Sequence, residues 1–395
     1  MAGKKSLRLA SAGLTNEGGW TRIDWLLRGL DSGDFRLTHA VPEADRNLLG
    51  DRLDPQRGDH ALCAVLFKAM EQGRDIIIDG SVSPKLLDGL ETLRAIWCRW
   101  RPSRYRPIVI KAEQESEASP VEGDRAAIFA FSGGVDASFS LFRHLHGNNA
   151  GRNNLTPGAA LLVHGMDIPL DRSDFYKSAA ARAERMLEGT GLPLVRVRTN
   201  SRQLRQDWED SFGLQLSACF LLFQVAYADA VRGSEEPWES LVLPWGSTPL
   251  ADPLSSTASM TMVHDGCDAD RTEKVYWLAT NTHVAEHLRV FWEGPEKDRN
   301  CGECEKCIRT MLNFWAMQLP IPLAFPTELT PGRVASIQIR NAIQRTYLTN
   351  LLRFAEERYP NTDPILNALQ HRLGHRGARA FARRGGRLAK KILRL

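Results

Sequence analysis

The chain has 395 residues, 43% hydrophobic and 25% charged, with a formal net charge of +4. That length implies two or three domains and ample material for a large core. No apolar run approaches the roughly 18 residues that span a bilayer, and seven cysteines in a chain of this size argue against a disulfide-dense secreted scaffold. The basic start at Met1 is too short and too broken by Arg8 for a secretory segment, so the expected compartment is the cytoplasm.

Residues 1–112 read as a self-contained α+β module. Leu7–Ala10 suggests a strand, and His60–Glu71 carries Leu62, Val65, Leu66 and Met70 at helical spacing. Asp75–Gly80 is a buried-strand pattern ended by glycine. Ser83-Pro84 supplies an N-cap and a first-turn proline for a helix through Leu87, Leu90, Leu93, Ile96 and Trp97. A last strand is expected over Tyr105–Ala112, and the acidic stretch 113–124 lacks apolar periodicity and reads as a linker. Cys63 and Cys98 fall on apolar helix faces and read as buried thiols.

From residue 125 to about 292 strands and helices alternate. Strands are expected over 126–131, 159–164, 193–198 and 240–244, with helices over 135–147, 174–189 and 212–232. Near-continuous apolar strands alternating with helices predict a parallel sheet covered on both faces, an α/β doubly wound fold. Ligands in such sheets sit at the carboxyl ends of the strands. Those ends carry Ser132-Gly133-Gly134, His164 with Asp167, Thr199 with Asn200, and Trp245 to Thr248. The stretch 249–275 reads as irregular, a candidate lid or substrate loop, and holds Asp252, Ser255, Ser256, Thr257, His264, Asp265, Arg271 and Lys274.

The first of these strand ends is the most informative. The run Ala126-Ala-Ile-Phe-Ala-Phe-Ser-Gly-Gly-Val-Asp-Ala-Ser138 is a strand, a glycine turn and a helix start. That arrangement offers backbone N–H groups to an anion at a helix N-terminus, with Ser132 and Ser138 as further donors. Asp136 in the first turn suits Mg²⁺ rather than bare phosphate. The Walker A spacing and G-x-G-x-x-G are both missing.

The loop resembles the Ser-Gly-Gly-x-Asp-Ser signature of the PP-loop ATP pyrophosphatases, with Ala137 where the signature serine stands and Ser138 one place later. The resemblance implies a sheet of the adenine nucleotide α-hydrolase type. It also implies ATP and Mg²⁺ held by Ser132, Gly133, Gly134, Asp136 and Ser138, with His164, Asp167 and Thr199 lining the pocket. Arg271 or Lys274 is then the distal basic group against the phosphates. The implied reaction cleaves ATP to AMP and pyrophosphate. AMP is placed on a carboxylate or amide oxygen, and ammonia or an amine displaces it.

The second informative stretch is Cys301-Gly-Glu-Cys304-Glu-Lys-Cys307, within the segment 293–330 that includes a packing helix through Ile308, Met311, Leu312, Trp315 and Leu319. Three thiols at this spacing reach one metal, and tetrahedral Zn²⁺ suits them given a fourth ligand. The stretch resembles the zinc site of 7-cyano-7-deazaguanine synthases, in which a fourth cysteine lies upstream. Here Phe291-Trp292 occupy that neighbourhood, and His283, His287 or Cys267 stay open as the fourth ligand, as does an iron–sulfur cluster. The likeness to those synthases covers about residues 125–315.

Residues 331–395 read as C-terminal helices, over Pro331–Glu357 and Pro364–Leu373, and a basic tail. From His371 to Leu395 the tail has nine Lys or Arg and no acidic residue. RNA, an acidic membrane surface or a partner protein would each suit it, and a homo-oligomer is open.

Rival functions are ATP-dependent sulfur transfer to tRNA or a small molecule, a non-catalytic nucleotide-binding scaffold, and a zinc-knuckle nucleic-acid binder. No glutaminase domain is visible.

Overall fold

The computed structural model describes residues 6–49, 54–120, 122–123, 125–147, 151–290 and 298–374. The basic tail beyond residue 374 and Phe291-Trp292 lie outside them. The chain divides into two compact units. The first is Met1–Glu235 with Leu243–Cys267, and the second is Glu236–Val242 with Asp268–Leu395.

The first unit is built on one 10-stranded, mostly parallel sheet. Its elements in chain order are β1 (Ser6–Glu17), β2 (Trp20–Arg28), β3 (Phe35–Pro42), α1 (Asp59–Gln72), β4 (Asp75–Val82), α2 (Pro84–Trp100) and β5 (Ile110–Glu115). There follow β6 (Ala127–Ala130), α3 (Val135–Leu145), β7 (Pro157–His164), α4 (Ser173–Leu187), β8 (Leu194–Thr199), α5 (Trp208–Leu221), β9 (Asp229–Gly233) and β10 (Thr261–Asp265). The strand order is β10-β9-β6-β7-β8-β3-β2-β1-β4-β5.

The N-terminal module is therefore not a separate sheet. β3 pairs antiparallel with β8 through His39↔Thr199 and Ala40↔Arg198, which joins the five N-terminal strands to the five that follow. Asn200 fastens this short seam: its Oδ1 accepts from Thr38 N at 2.9 Å and its Nδ2 donates to Arg36 O at 2.8 Å. The stretch read as a linker completes β5 through Glu115, and Ser116 N then donates to Val82 O.

Counted from β6, the five strands at the other end run 3-2-1-4-5, all parallel. Their packing is two-sided. Ala159 and Leu161 of β7 join the large core with α1, α2 and α5, whereas Leu162 joins Tyr176, Ala179 and Ala180 of α4 in a smaller cluster. Alternating strand residues thus feed opposite layers, as a doubly wound α/β fold requires. Trp97, Phe67 and Tyr105 interlock edge to face in the larger core.

Local signals hold where caps are strong. Ser83 caps α2 by accepting from Leu86 N at 3.2 Å, and Pro84 opens the helix. The expectations differ from the structure after α5. The helix expected over 212–232 stops at Leu221, and Asp229–Gly233 is the fourth strand of the parallel set. Residues 240–244 form no strand, and the stretch read as irregular contains β10 and the start of a helix at Arg271. An all-round buried helix followed by a buried strand is one continuous apolar run, so periodicity marks no boundary between them.

The second unit holds α6 (Arg271–Ala279), α7 (Thr282–Glu286), α8 (Glu305–Ala316), α9 (Pro331–Ser336), α10 (Ala342–Arg358) and α11 (Pro364–Leu373). The single helix expected over Pro331–Glu357 is broken into α9 and α10, each capped by its own side chain, Thr330 and Asn341. Asp363 caps α11.

His39 and His60 are both buried and meet edge to face, with ring centroids 5.2 Å apart. Burial lowers His39 to about 4; burial, and then the neighbouring His39, push His60 well below its usual range. The unfolded chain binds these protons below pH 6.5 while the folded chain does not, so stability falls as pH drops from about 6.5 toward 4. Urea unfolding at pH 7.5 and pH 5 should show a loss of roughly 2 kcal/mol per histidine, and His39→Phe should remove about half of it.

Candidate functional site

In an open parallel sheet the crevice for a ligand opens where the strand order reverses. Here that point lies between β6 and β9, and the Ser-Gly-Gly turn leaves the carboxyl end of β6. Gly133 takes φ 75°, a left-handed conformation that suits glycine. Gly134 N donates to Ser132 Oγ at 3.3 Å, which curls the turn. Gly134 is the N-cap of α3 and no side chain caps that helix. Its first N–H groups belong to a helix start, where intrahelical carbonyl partners are lacking. Asp136 is half-buried in the first turn, and Ser138 is fully buried with no hydrogen-bond partner for its Oγ among the described residues.

The facing wall is the end of β9. A Cβ at Gly233 would stand 2.4 Å from Asp136 O and 3.1 Å from Ala137 N. Only a residue without a side chain lets β9 close on the first turn of α3. Beyond it, Ser234 N donates to Asp265 O at 2.6 Å.

Below this edge lies a buried charged network that joins β9 and β10. Asp252 accepts from Arg232 Nη1 at 2.9 Å and Ser247 Oγ at 2.7 Å, and lies 2.7 Å from His264 Nδ1. Arg232 also donates to Gly213 O at 2.8 Å and Ser217 Oγ at 2.6 Å. Burial opposes ionisation of Asp252, yet Arg232 and His264 outweigh it and hold the carboxyl below its usual range. Burial likewise disfavours a charged His264, but its hydrogen bonds, first to Asp252 and then to Cys267, raise it to about 9. Cys267 Sγ donates to Ser234 Oγ at 3.2 Å. Asp265, the last residue of β10, is gripped by Ser140, Arg143 and His144 of α3, which together overcome burial and hold its carboxyl far below the usual range.

The other strand ends play quieter parts. His164 is buried, stacks on Tyr176 with centroids 4.3 Å apart, and lies 2.9 Å from Pro169 O, so its ring pins the following turn. Burial, its largest influence, lowers its pKa. Thr199 is buried and accepts from Ser201 N at 3.2 Å, and Asn200 serves the seam with β3. Asp167 is half-buried near Arg202. Ser256 and Thr257 accept from Met262 N and Met260 N and shape the approach to β10. Arg271 and Lys274 are buried on the first turns of α6, in the second compact unit; they sit on a capped helix rather than in a loop.

Arg232 escapes the sequence reading because it falls at the end of the run assigned to a helix, and Gly233 and Ser234 because they follow that run with no strand recognised before them. The available signal is the short stretch Ala230-Val231-Arg232 closed by glycine, the same punctuation that marks the end of Asp75–Gly80.

The cysteine knuckle belongs to the second unit. The sulfurs of Cys301, Cys304 and Cys307 lie within 4.8 Å of one another, and Cys301 Sγ is 3.9 Å from Cys307 Sγ. Tetrahedral thiolates at about 2.3 Å from zinc stand roughly 3.8 Å apart, so the cluster can hold such a metal. Cys301 Sγ accepts from Glu303 N and Cys304 N, and Cys304 Sγ accepts from Cys307 N while capping α8. Gly302, at φ 73°, permits the turn and packs under Thr327, whose Oγ1 donates to its carbonyl at 2.9 Å. The bond to Cys307 is the largest influence on Cys304 and, despite burial, pulls it down to about 6. Among the described residues no fourth ligand atom of His, Cys, Asp or Glu joins the group. Cys267 belongs to the first unit and is engaged by Ser234, and His287 Nδ1 lies 3.0 Å from its own helix carbonyl, His283 O.

Two outcomes test these assignments. Zinc titrated into chelator-stripped protein should bind at about one equivalent, and Cys304→Ser should weaken it at least tenfold against a chromophoric chelator. Asp252→Asn leaves two buried cations without their counter-charge and should cost about 3–5 kcal/mol in urea unfolding; a loss below 1 kcal/mol would show the network to be dispensable.

No family model, curated protein or solved structure matches this chain.

Proposed function

We propose that the protein is an ATP-dependent ligase of the PP-loop type. It forms AMP and pyrophosphate by adenylating a carboxylate or amide oxygen for attack by ammonia or an amine. The observation that carries this reading is the position of the Ser-Gly-Gly-Val-Asp turn. It leaves the first strand of a parallel 3-2-1-4-5 set, at the reversal point, and ends in an uncapped helix start. That is where an α/β sheet receives a phosphate chain. Ser132, Gly133, Gly134 and Ser138 cradle the pyrophosphate that leaves, and Asp136 holds Mg²⁺.

Chemistry favours adenylation over phosphoryl transfer to water. The loop has no Walker lysine to follow a β,γ-cleaved phosphate. A carboxylate oxygen leaves poorly, and AMP turns it into a stabilised anion, so positioning and charge neutralisation supply most of the rate. Zinc at Cys301, Cys304 and Cys307 has a structural role in this reading, holding the turn that starts α8. The protein is cytoplasmic. The acceptor is a small molecule bearing a carboxylate or amide.

A second reading, ATP-dependent sulfur transfer, is favoured by one observation: Cys267 stands beside the end of β9, against Ser234. It requires a persulfide donor.

Product analysis separates the possibilities. With ATP, Mg²⁺, ammonium and a panel of carboxylates, AMP and pyrophosphate should appear only with a true acceptor. ADP as the nucleotide product would overturn the mechanism. Gly133→Ala forces a side chain into φ 75° and should lower kcat/KM for ATP by at least tenfold. Asp136→Ala should abolish the Mg²⁺ dependence of ATP binding measured by calorimetry.

A further inference from the structure

Arginines on the sheet of the first unit are mostly matched. Arg8, Arg22, Arg36 and Arg196 each meet a carboxylate, those of Asp79, Glu17, Asp24 and Glu184. The turn that leaves the carboxyl end of β8 is different. From Gly189 to Gln206 the chain carries four arginines and no acidic residue, and of the four only Arg196 has an ion-pair partner among the described residues. Arg198 lies instead over the ring of Trp20, 4.6 Å from its centroid, and Arg202 over the ring of Trp208, at 4.0 Å. Asp167 acts on Arg202 from a distance, without forming an ion pair. Arg205 is exposed and holds φ 53°, a left-handed conformation that a side chain disfavours. The next residue fixes it there: Gln206 donates to Ala64 O at 2.7 Å and accepts from Lys68 N at 3.1 Å.

A guanidinium laid flat on an indole leaves its second face and its N–H edge for a ligand. The edge donates as a fork that fits a phosphate, and the plane stacks on a nucleobase. A lysine would supply the charge but neither geometry. Three arginines without a carboxylate partner stand within eight residues, on a turn anchored at both ends. Asn200 ties its start to β3, and Gln206 ties its end to α1. A chain of regularly spaced anions with planar groups between them matches that pattern. We propose that this turn is a binding surface for single-stranded nucleic acid. The phosphodiester chain follows Arg198, Arg202 and Arg205, and bases stack on the planes of Arg198 and Arg202. The surface lies on the same sheet edge as the Ser-Gly-Gly turn, two strands away, and does not depend on the reaction proposed there. An acidic protein segment would meet the same charges but offers no repeated planar group, which makes the two partners separable.

Fluorescence anisotropy of the full-length protein with a labelled oligouridine RNA, over a range of salt concentrations, tests the proposal. Arg198→Gln with Arg202→Gln should weaken binding at least tenfold. It should also flatten the salt dependence by about 1.4 in log–log slope, since each phosphate contact on a single strand contributes roughly 0.7. Arg198→Lys with Arg202→Lys should keep the slope yet lose at least fivefold in affinity, because the stacking planes are gone. Arg99→Gln, at an exposed position of α2, should bind as the wild type does. Photocrosslinking with 4-thiouridine RNA and peptide mapping should place the crosslinks within residues 196–208. Absence of RNA binding, wild-type affinity in the glutamine variant, or crosslinks confined to other segments would overturn the proposal. Full affinity in the lysine variant, together with equal competition by polyglutamate, would show a surface that reads charge alone and serves an acidic protein. If the glutamine variant fails to fold in a urea titration, the lysine variant and the crosslink map decide.

Discussion

The candidate site depends on one close approach, that of Gly233 to the first turn of α3. Any Cβ there would stand 2.4 Å from the carbonyl of Asp136. The contact lets β9 pair directly with β6 and brings the strand order to its reversal point beside the Ser-Gly-Gly turn. The same contact carries the chain on to Ser234, whose N–H ties β9 to Asp265 at the end of β10. A larger residue would push β9 away from the first turn of α3 and open this crevice.

Around that contact the charges are arranged so that few are left in apolar surroundings. Asp252 is matched by Arg232 and His264, and Asp265 by Arg143 and His144. Buried pairs of this kind add little net stability over apolar replacements, but losing one partner is costly. They act instead as registers. Arg232 and His264 face each other across the β9–β10 pairing, and Asp252 comes from the connecting segment. One carboxylate therefore sets the spacing of two strands and a loop.

The second unit obeys a different constraint. Its helices are defined by side-chain caps at Asp270, Asn281, Cys304, Thr330, Asn341 and Asp363, and the Cys304 cap is also one of the three thiols whose spacing can hold a metal. A metal at the three sulfurs would tie the knuckle turn to the start of α8.

Local chemistry was legible in the sequence wherever a residue acts on its own neighbours. The Ser83 cap, the glycine turn after Ala130, the knuckle spacing and the α/β class depend on backbone conformation within a few residues, and the sequence alone determined them. What only the tertiary structure decided involves partners far apart in the chain. The joining of the N-terminal strands to the five parallel strands that follow rests on β3 meeting β8, about 160 residues away. The end of α5 is hidden in a uniformly apolar run, since burial on every side erases the periodicity that would mark it. His164, read as a ligand residue, turned inward to Tyr176 because an imidazole at a strand end satisfies a turn carbonyl as readily as a substrate. His264 and Cys267 were visible as residue types, but Asp252, Arg232 and Ser234 became their partners only when parallel strands brought three chain segments to one edge. Sequence spacing carries no record of that meeting.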